Sequence, residues 1–523
     1  MSNFLGIDAS TQSMTGLAIN TDTSQITAEV SVNFDERYGE QYGVTHGVID
    51  LEEGQVHSAP LMWVEALEQL CQQLHEAGVD MGSIRAIAGS GQQHGTVYLN
   101  ESAAGALESL DAERDLAVQL EGIFSRATAP IWMDTSTTRQ CREIEAAVGG
   151  RDTLLQLTGN TAFERFSGPQ IRRFWQTDDY SWGRTANISL VSSFISSLLA
   201  GRLVGVDPGD GSGTNLMDIH SRRWSQAAMD ATAPDLEQRL LPIARPDEVV
   251  GAIHAFWIRR HGFSPECQIL PFSGDNPNSL IGLGLVQPGQ VALSLGTSDT
   301  LFACMDEARV SNSGEGALFA SPDGEHYMAL ICFLNGSLAR EAVRDRYDLD
   351  WDGFAKALRE TPPGNEGALM LPWFAAEIVP HVAEPGVIRE GFDETAVATN
   401  VRAVIEAQAL SSRLHSEWMG VTIGSLSVTG GASANRDILQ VYADVLGCTV
   451  QPFETTNAAA LGAALRAAHG HAKTLGAESS FSDIVTPFTS PPAESRVQPN
   501  AAHREMYDRL LEEYRRLEAD HLS

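Results

Sequence analysis

Gly6-Ile7-Asp8-Ala9-Ser10-Thr11-Gln12 and, far along the same chain, Leu295-Gly296-Thr297-Ser298-Asp299-Thr300 are two versions of one pattern. In each, an apolar run (Phe4 to Ile7; Val291 to Leu295) ends in small polar residues and a second apolar run follows, as in a tight β-hairpin. The turn of such a hairpin offers backbone N–H groups and hydroxyls to phosphate oxygens. A single Gly-Thr-Ser turn can merely reverse a chain. Two of them, each with an acid at or near the end of its half's first strand, point to an ATP-handling chain built from duplicated halves.

The order of elements around the two hairpins supports the duplication. The first half reads as strands at 4–8, 15–19 and 26–32, a helix carrying Leu61, Val64, Leu67, Leu70, Cys71 and Leu74 at helical spacing, and a buried strand at 84–88. The second half reads as strands at 291–295, 300–304 and 327–332, a helix from about Ser337, a long helix over 401–418 and a strand at 425–428. A helix at 438–446, a strand at 449–452 and a helix at 458–468 close it. This is an α/β pattern with a mixed sheet in each half. Residues 209–214 read as a surface loop and 188–206 as a buried helix.

At 523 residues the chain is too long for one core, so two domains of roughly 200 to 250 residues are expected. We place them at 1–250 and 251–478, with a Pro/Ser-rich linker and a last amphipathic helix in 479–523. The balance of 68 acidic against 35 basic residues gives a formal charge of -33, which repels nucleic acid and anionic membranes. Lysine occurs only at 356 and 473, so a P-loop lysine and a protein-kinase strand lysine are both missing. ATP chemistry here must then use metal, backbone amides and arginine. The six cysteines show no metal spacing or Cys-x-x-Cys pairing and suit a reducing compartment. With no leader-like segment or membrane-span pattern, a cytoplasmic protein is expected.

Six segments carry a resemblance. They are Gly-Ser-Gly-Gln-Gln-His-Gly at 89–95, Ile-Trp-Met-Asp-Thr-Ser-Thr-Thr at 131–138, Phe-Glu-Arg-Phe-Ser-Gly at 163–168, Ser-Gly-Asp-Asn-Pro at 273–277, Ser-Leu-Gly-Thr-Ser-Asp-Thr at 294–300 and Thr-Gly-Gly-Ala-Ser-Ala-Asn at 429–435. In order and spacing they resemble the FGGY carbohydrate kinases, from Gly6 to about Gly470. Within that family they resemble the long xylulokinase branch also found in animals. Many relatives carry an arginine two residues after the acid of the second segment. Here Ser136 stands two residues after Asp134, a departure that agrees with the long branch.

The resemblance implies two actin-like, ribonuclease-H-like domains with ATP and sugar in the cleft between them. It implies ATP-dependent phosphorylation of D-xylulose at O5. Asp275 is implied as general base, and Asp8 as a Mg²⁺ holder acting directly or through water. His94, Arg165, Asp275 and Asn276, with Gln93 beside them, are implied to contact the sugar. Thr11, Gln12, Gly296, Thr297 and Ser298 would meet the phosphates, and Trp351, Gly430, Gly431 and Asn435 the adenosine. Residue chemistry is compatible, since amide, imidazole, guanidinium and carboxylate groups pair the alternating donors and acceptors of a polyol.

By pattern alone each of these positions has a plainer reading. Asp275 reads first as an Asx-turn or N-cap aspartate before Pro277, and Asp8 as a turn cap. His94 reads as a satisfied structural histidine, Arg165 as half of an exposed pair with Glu164, Trp351 as a packing ring, and Gly430-Gly431 as a tight turn. Asp134 has a structural reading too. Other ketoses or polyols such as ribulose, an actin-like ATP-dependent switch and an inactive sugar-binding regulator remain the alternatives. The residue pattern leaves a homodimer open.

Overall fold

The computed structural model describes residues 2–453, 457–477, 479–490 and 492–522. The chain divides into two compact units. One joins Met1–Val286, Leu318–Tyr327 and Asn457–Thr489; the other joins Gln287–Ala317, Met328–Thr456 and Ser490–Ser523.

The first unit is built on a seven-stranded mixed sheet. Its strands are β1 (Asn3–Ala9), β2 (Ser13–Asn20), β3 (Gln25–Asn33), β4 (Ile84–Gly91), β5 (Gly251–Ala252), β6 (Gln268–Ile269) and β7 (Ser273–Gly274). They lie in the order β5-β6-β4-β1-β2-β3, with β7 continuing along β4 beyond β6. β1, β2 and β3 meander antiparallel, while β1, β6 and β7 all run parallel to β4. The parallel register sets Asp8 opposite Ser90 on one side of β4 and Ser273 opposite it on the other, so three strands end at one rim.

Strand alternation sorts the two faces. Leu5, Ile7 and Ala9 enter a core shared with Met62, Trp63, Leu67 and Leu70 of α1 (Pro60–Glu76). Phe4 faces the other way, into a core with Leu461, Ala464 and Leu465 of the helix Ala458–Thr474. Gly6 shares that second face, where an added Cβ would lie 1.9 Å from the Ala460 carbonyl oxygen. The order of elements suggested that this helix closes the second half; instead it belongs to the first unit, where Gly6 and Gly282 let its alanine-rich face reach backbone contact. Phe481–Thr489 follows it as a helix with Val485 buried, within the stretch whose composition suggests a linker.

Further helical layers complete the unit: α2 (Ser167–Thr177), α3 (Val191–Ala200) and α4 (Asp275–Gly282). The buried stretch at 188–206 differs from its expected single helix. Its start lies in the strand Asn187–Leu190, paired with Thr96–Leu99, and α3 stops at Gly201, whose left-handed φ of 65 ends the helix. Residues 209–214 also differ from expectation. They lie in a helical turn, Pro208–Gly211, and a tighter one, Ser212–Thr214, all buried. They are held inside because Asp207 is fixed by Ser273 Oγ (2.6 Å) and Arg466 (2.8 Å), a pairing that local composition does not reveal.

The second unit contains β8 (Gln290–Leu295), β9 (Asp299–Met305), β10 (Tyr327–Phe333), β11 (Ser425–Thr429) and β12 (Thr449–Pro452), which lie in the sheet order β10-β9-β8-β11-β12. Its helices include α5 (Ser337–Arg346), α6 (Trp351–Glu360), α7 (Val397–His415), α8 (Arg436–Leu446) and the last, α9 (Arg504–Leu522). α9 buries Tyr507, Leu510, Leu511, Tyr514 and Leu517 on its own unit, with Tyr507 donating to Glu406 of α7 at 2.7 Å. Among the described residues no cysteine is in a disulfide and no helix is long and apolar enough to cross a membrane.

Candidate active site

The rim of the first unit gathers the polar residues singled out in its sequence. Asp8 sits at the end of β1, 2% exposed, with Oδ1 accepting from Ser90 Oγ at 2.7 Å and Oδ2 from Ser10 Oγ. Burial raises its pKa above the usual carboxylate value, against the bonds from Ser10, Ser90 and Asn457. Asp275 opens α4 directly after β7. It is not the cap that its pattern suggested: Gly274 is the N-cap and Asp275 the first helical residue.

Asp275 Oδ1 accepts from Asn276 N (2.8 Å), Asn276 Nδ2 (3.2 Å) and, more loosely, Gln93 N (3.4 Å). Among the described residues none donates to Oδ2. Burial and then the Asp8 charge push this carboxyl up to about 7. A group with one anchored oxygen, one uncommitted oxygen and a pKa near neutrality can take a proton at physiological pH.

Gln93 and His94 turn over the same rim. Gln93 Oε1 accepts from Asn276 at 3.1 Å, while its Nε2 is buried without a partner. A buried donor left open is costly unless a ligand supplies its acceptor. Gly274 makes room for this side chain, since a Cβ there would lie 2.5 Å from Gln93 Cγ. His94 has φ of 72 and stacks on Phe166 with ring centroids 4.4 Å apart. Its Nδ1 donates to the Gly213 carbonyl at 2.7 Å, so Nε2 is the acceptor of a neutral ring. Burial, with the Arg165 charge second, drops its pKa to about 3 and fixes that state.

Arg165 is exposed and stands over the Phe163 ring, 5.4 Å from its centroid; among the described residues it forms no ion pair with Glu164. Thr11 lies in the first hairpin turn, accepting from Trp132 Nε1 at 2.8 Å and donating to Gln92 Oε1 at 3.2 Å. Gln12 is exposed at the tip, its carbonyl accepting from Phe34 N. Asp134 stands apart in role. Burial would raise it, but donors on His57, Ser136 and Gln170 hold its carboxyl down at about 2, and its bonds tie neighbouring chain segments together.

Sequence reasoning missed three participants. Asp210 is buried with Oδ2 bonded to Ser192 Oγ and Oδ1 unpartnered, and burial lifts its pKa well above the usual range. Gly213 supplies the carbonyl that sets the His94 tautomer. Gln92 braces Thr11. Gln92 stood in a quoted motif and could have been found; the other two lay in the stretch expected to be a surface loop.

In the second unit, Gly296, Thr297 and Ser298 form the β8–β9 turn, with Thr297 exposed. Arg340 of α5 anchors it, donating to the Gly296 carbonyl (3.2 Å) and to both Asp299 oxygens (2.8 and 3.0 Å). Gly430 follows β11, parallel to β8, and a Cβ on it would lie 2.5 Å from the Leu295 carbonyl oxygen. Gly431 is exposed with open space at its Cβ position. The hairpin turn and the glycine pair therefore share one rim. Asn435 caps α8, accepting from Asp437 N and Ile438 N. Trp351 opens α6, 44% exposed, with Arg344 over its ring; α6 is tied to α8 by Arg359 and Asp437 at 2.6 Å.

Comparison with known proteins identifies the family. Residues 127–282 match the N-terminal domain of the FGGY family of carbohydrate kinases and residues 291–471 its C-terminal domain. The chain is 41% identical to a xylulose kinase of Rattus norvegicus over 529 residues, covering 99% of this chain and 97% of that protein. It is 44% identical to xylulose kinase 2 of Arabidopsis thaliana over 487 residues, covering 89% and 87%. A xylulose kinase structure from Rhodospirillum rubrum has the same fold, with a TM-score of 0.81 at 19% identity over 99% of this chain and 98% of that one. Two actin-like α/β units carrying these motifs in this order have one reading: the chain belongs to the FGGY family of carbohydrate kinases.

Proposed function

We propose that this protein transfers the terminal phosphoryl group of Mg-ATP to O5 of D-xylulose, giving D-xylulose 5-phosphate and ADP. The observation that carries the chemistry is the uncommitted Oδ2 of Asp275, beside the open Gln93 Nε2 and the acceptor Nε2 of His94. The choice of sugar rests on the names of the relatives at 41% and 44% identity.

Asp275 Oδ2 takes the O5 proton as the O5–P bond forms and the bond from phosphorus to the leaving ADP oxygen breaks. Asn276 and Gln93 N–H hold Oδ1, so the base keeps its orientation while it changes charge. His94 Nε2 accepts a sugar hydroxyl, Gln93 Nε2 donates to a sugar oxygen, and Arg165 supplies a further donor. Thr11, Gln12, Gly296, Thr297 and Ser298 offer N–H and hydroxyl groups to phosphate oxygens. Gly430 and Gly431 leave bare backbone for ribose and base, with Trp351 at the adenine; Asn435 shapes this rim through its cap.

Asp8 would hold the Mg²⁺ that accompanies the nucleotide, directly or through water, and the ion would offset phosphate charge. The donor set fits it: Asp8 is one buried carboxylate coupled to Asp275, a pair that a divalent cation relieves, and magnesium commonly needs only one or two carboxylates besides phosphate oxygens and water. Among the described residues no cluster of three or more His, Cys, Asp or Glu forms a separate metal cage.

The test is an ADP-release assay with Mg-ATP and D-xylulose, D-ribulose, L-ribulose, L-xylulose, D-fructose, D-gluconate and glycerol. The highest kcat/KM is expected for D-xylulose. Preference for another polyol would keep the base and replace the sugar; no sugar-dependent ADP would reject the kinase reading in favour of a nucleotide-dependent switch or an inactive binder.

A further inference from the structure

A cavity of about 550 Å³ opens in the first unit, sharing no lining residue with the Asp8–Asp275 rim. Its walls are the turn at 221–223, the stretch at 243–247, the turn at 323–325, Pro208 and Lys473. That volume lies within the roughly 300 to 1,000 Å³ of small-molecule sites. The walls are preformed. Arg222 donates to the carbonyls of Gly324, Glu325 (2.8 Å) and His326 (3.0 Å), and Arg466 joins the Pro246 carbonyl to Asp207.

The lining is unlike the rest of the chain. With 68 acidic and 35 basic residues and only two lysines overall, the protein here sets Arg222, Arg223, Arg245 and Lys473 against Asp247, Asp323 and Glu325. Two of those carboxylates are already committed. Asp247 takes Lys473 at 2.9 Å, and Asp323 takes His326 at 2.8 Å. On the cationic side Arg223 has no ion pair among the described residues. Arg245 has only a 3.6 Å contact to Asp247 and is 78% exposed. The cavity therefore holds one guanidinium group without an ion pair, Arg223, and a second, Arg245, tied only by that long contact and open to solvent, next to Ser221 and Glu325.

We propose that this cavity is a second ligand site, for a small phosphorylated polyol. Arg223 and Arg245 would pair the phosphate, where guanidinium geometry suits two oxygens at once. Glu325 and the Ser221 hydroxyl would accept from hydroxyl groups on the carbon chain, which explains why carboxylates and cations share one lining. None of these residues belongs to the proposed catalytic set.

The test is a calorimetric titration of the full chain with glycerol 3-phosphate, with ADP and D-xylulose both saturating so that the catalytic site is filled by a pair that cannot react. Saturable binding is expected, weakened about tenfold or more in the Arg223→Ala/Arg245→Ala double variant, whose ADP-release rate without effector matches the parent. Glu325→Gln should weaken glycerol 3-phosphate relative to inorganic phosphate by severalfold. No binding at millimolar concentration, or equal binding by parent and double variant, would overturn the site. An unchanged ratio of the two probes in Glu325→Gln would overturn the polyol assignment.

Discussion

At the scale of single residues, function turns on what is left unpaired. Asp275 has one oxygen fixed by three donors and one free, so Asp275→Asn should keep the local bonds yet lose the base. Turnover should fall about 10²-fold or more, with nucleotide affinity little changed; near-normal turnover by this variant would reject the assignment. The raised pKa adds a pH signature. Its ionised form is the base, so the competent fraction is lost as pH falls through about 7. We expect kcat/KM for the sugar to drop close to tenfold per unit below about pH 6, and a profile flat from about pH 5 to 8 would contradict it. His94 is neutral across that range, its pKa lying near 3. His94→Ala should raise the sugar KM far more than the ATP KM, and equal losses for both in folded protein would remove His94 from the sugar pocket.

At the scale of elements, close packing of backbone on backbone decides which helix sits on which strand. The helix Ala458–Thr474 meets β1 at Gly6 and α4 at Gly282, where added Cβ atoms would each lie 1.9 Å from carbonyl oxygens of Ala460 and Ala458. Neither contact ends in a flexible side chain, so the strain cannot be absorbed locally. Gly6→Ala should cost about 3 kcal/mol or more, the upper end of overpacking effects. A denaturation midpoint equal to the parent's would show that the helix shifts freely. The β8–β9 turn depends on a different device, the buried Arg340–Asp299 pair, with Gln408 Oε1 also accepting from Arg340 at 3.0 Å. A buried pair of this kind holds the turn in one arrangement because either partner alone would be an uncompensated charge.

At the scale of the whole molecule, the chain crosses between units more than once, and residues 457–489 complete the first. A fragment ending at Val286 would expose Phe4, Leu17, Ile19, Ala86 and Ala88, all buried against the missing helix. It should therefore bind a hydrophobic dye and fail to unfold cooperatively, and adding residues 457–489 through a short linker should restore a sharp transition. Sequence order alone hides this dependence, because alternation and helical spacing report which face is apolar but not which partner covers it.

The two hairpins, the mixed-sheet order and the polar motifs were legible in the residues, since strand alternation, helix periodicity and small polar turns are local properties. So were Asp8, His94 and Asp275 as candidates, through motif resemblance. Tertiary structure alone decided that Asp275 is the first helical residue behind a glycine cap, that Gly213 selects the His94 tautomer, and that residues 209–214 lie inside the protein. The last two depend on contacts between residues far apart in the chain, His94 with Gly213 and Asp207 with Arg466 and Ser273. Burial, pKa and tautomer are set by such neighbours, and no local pattern encodes them.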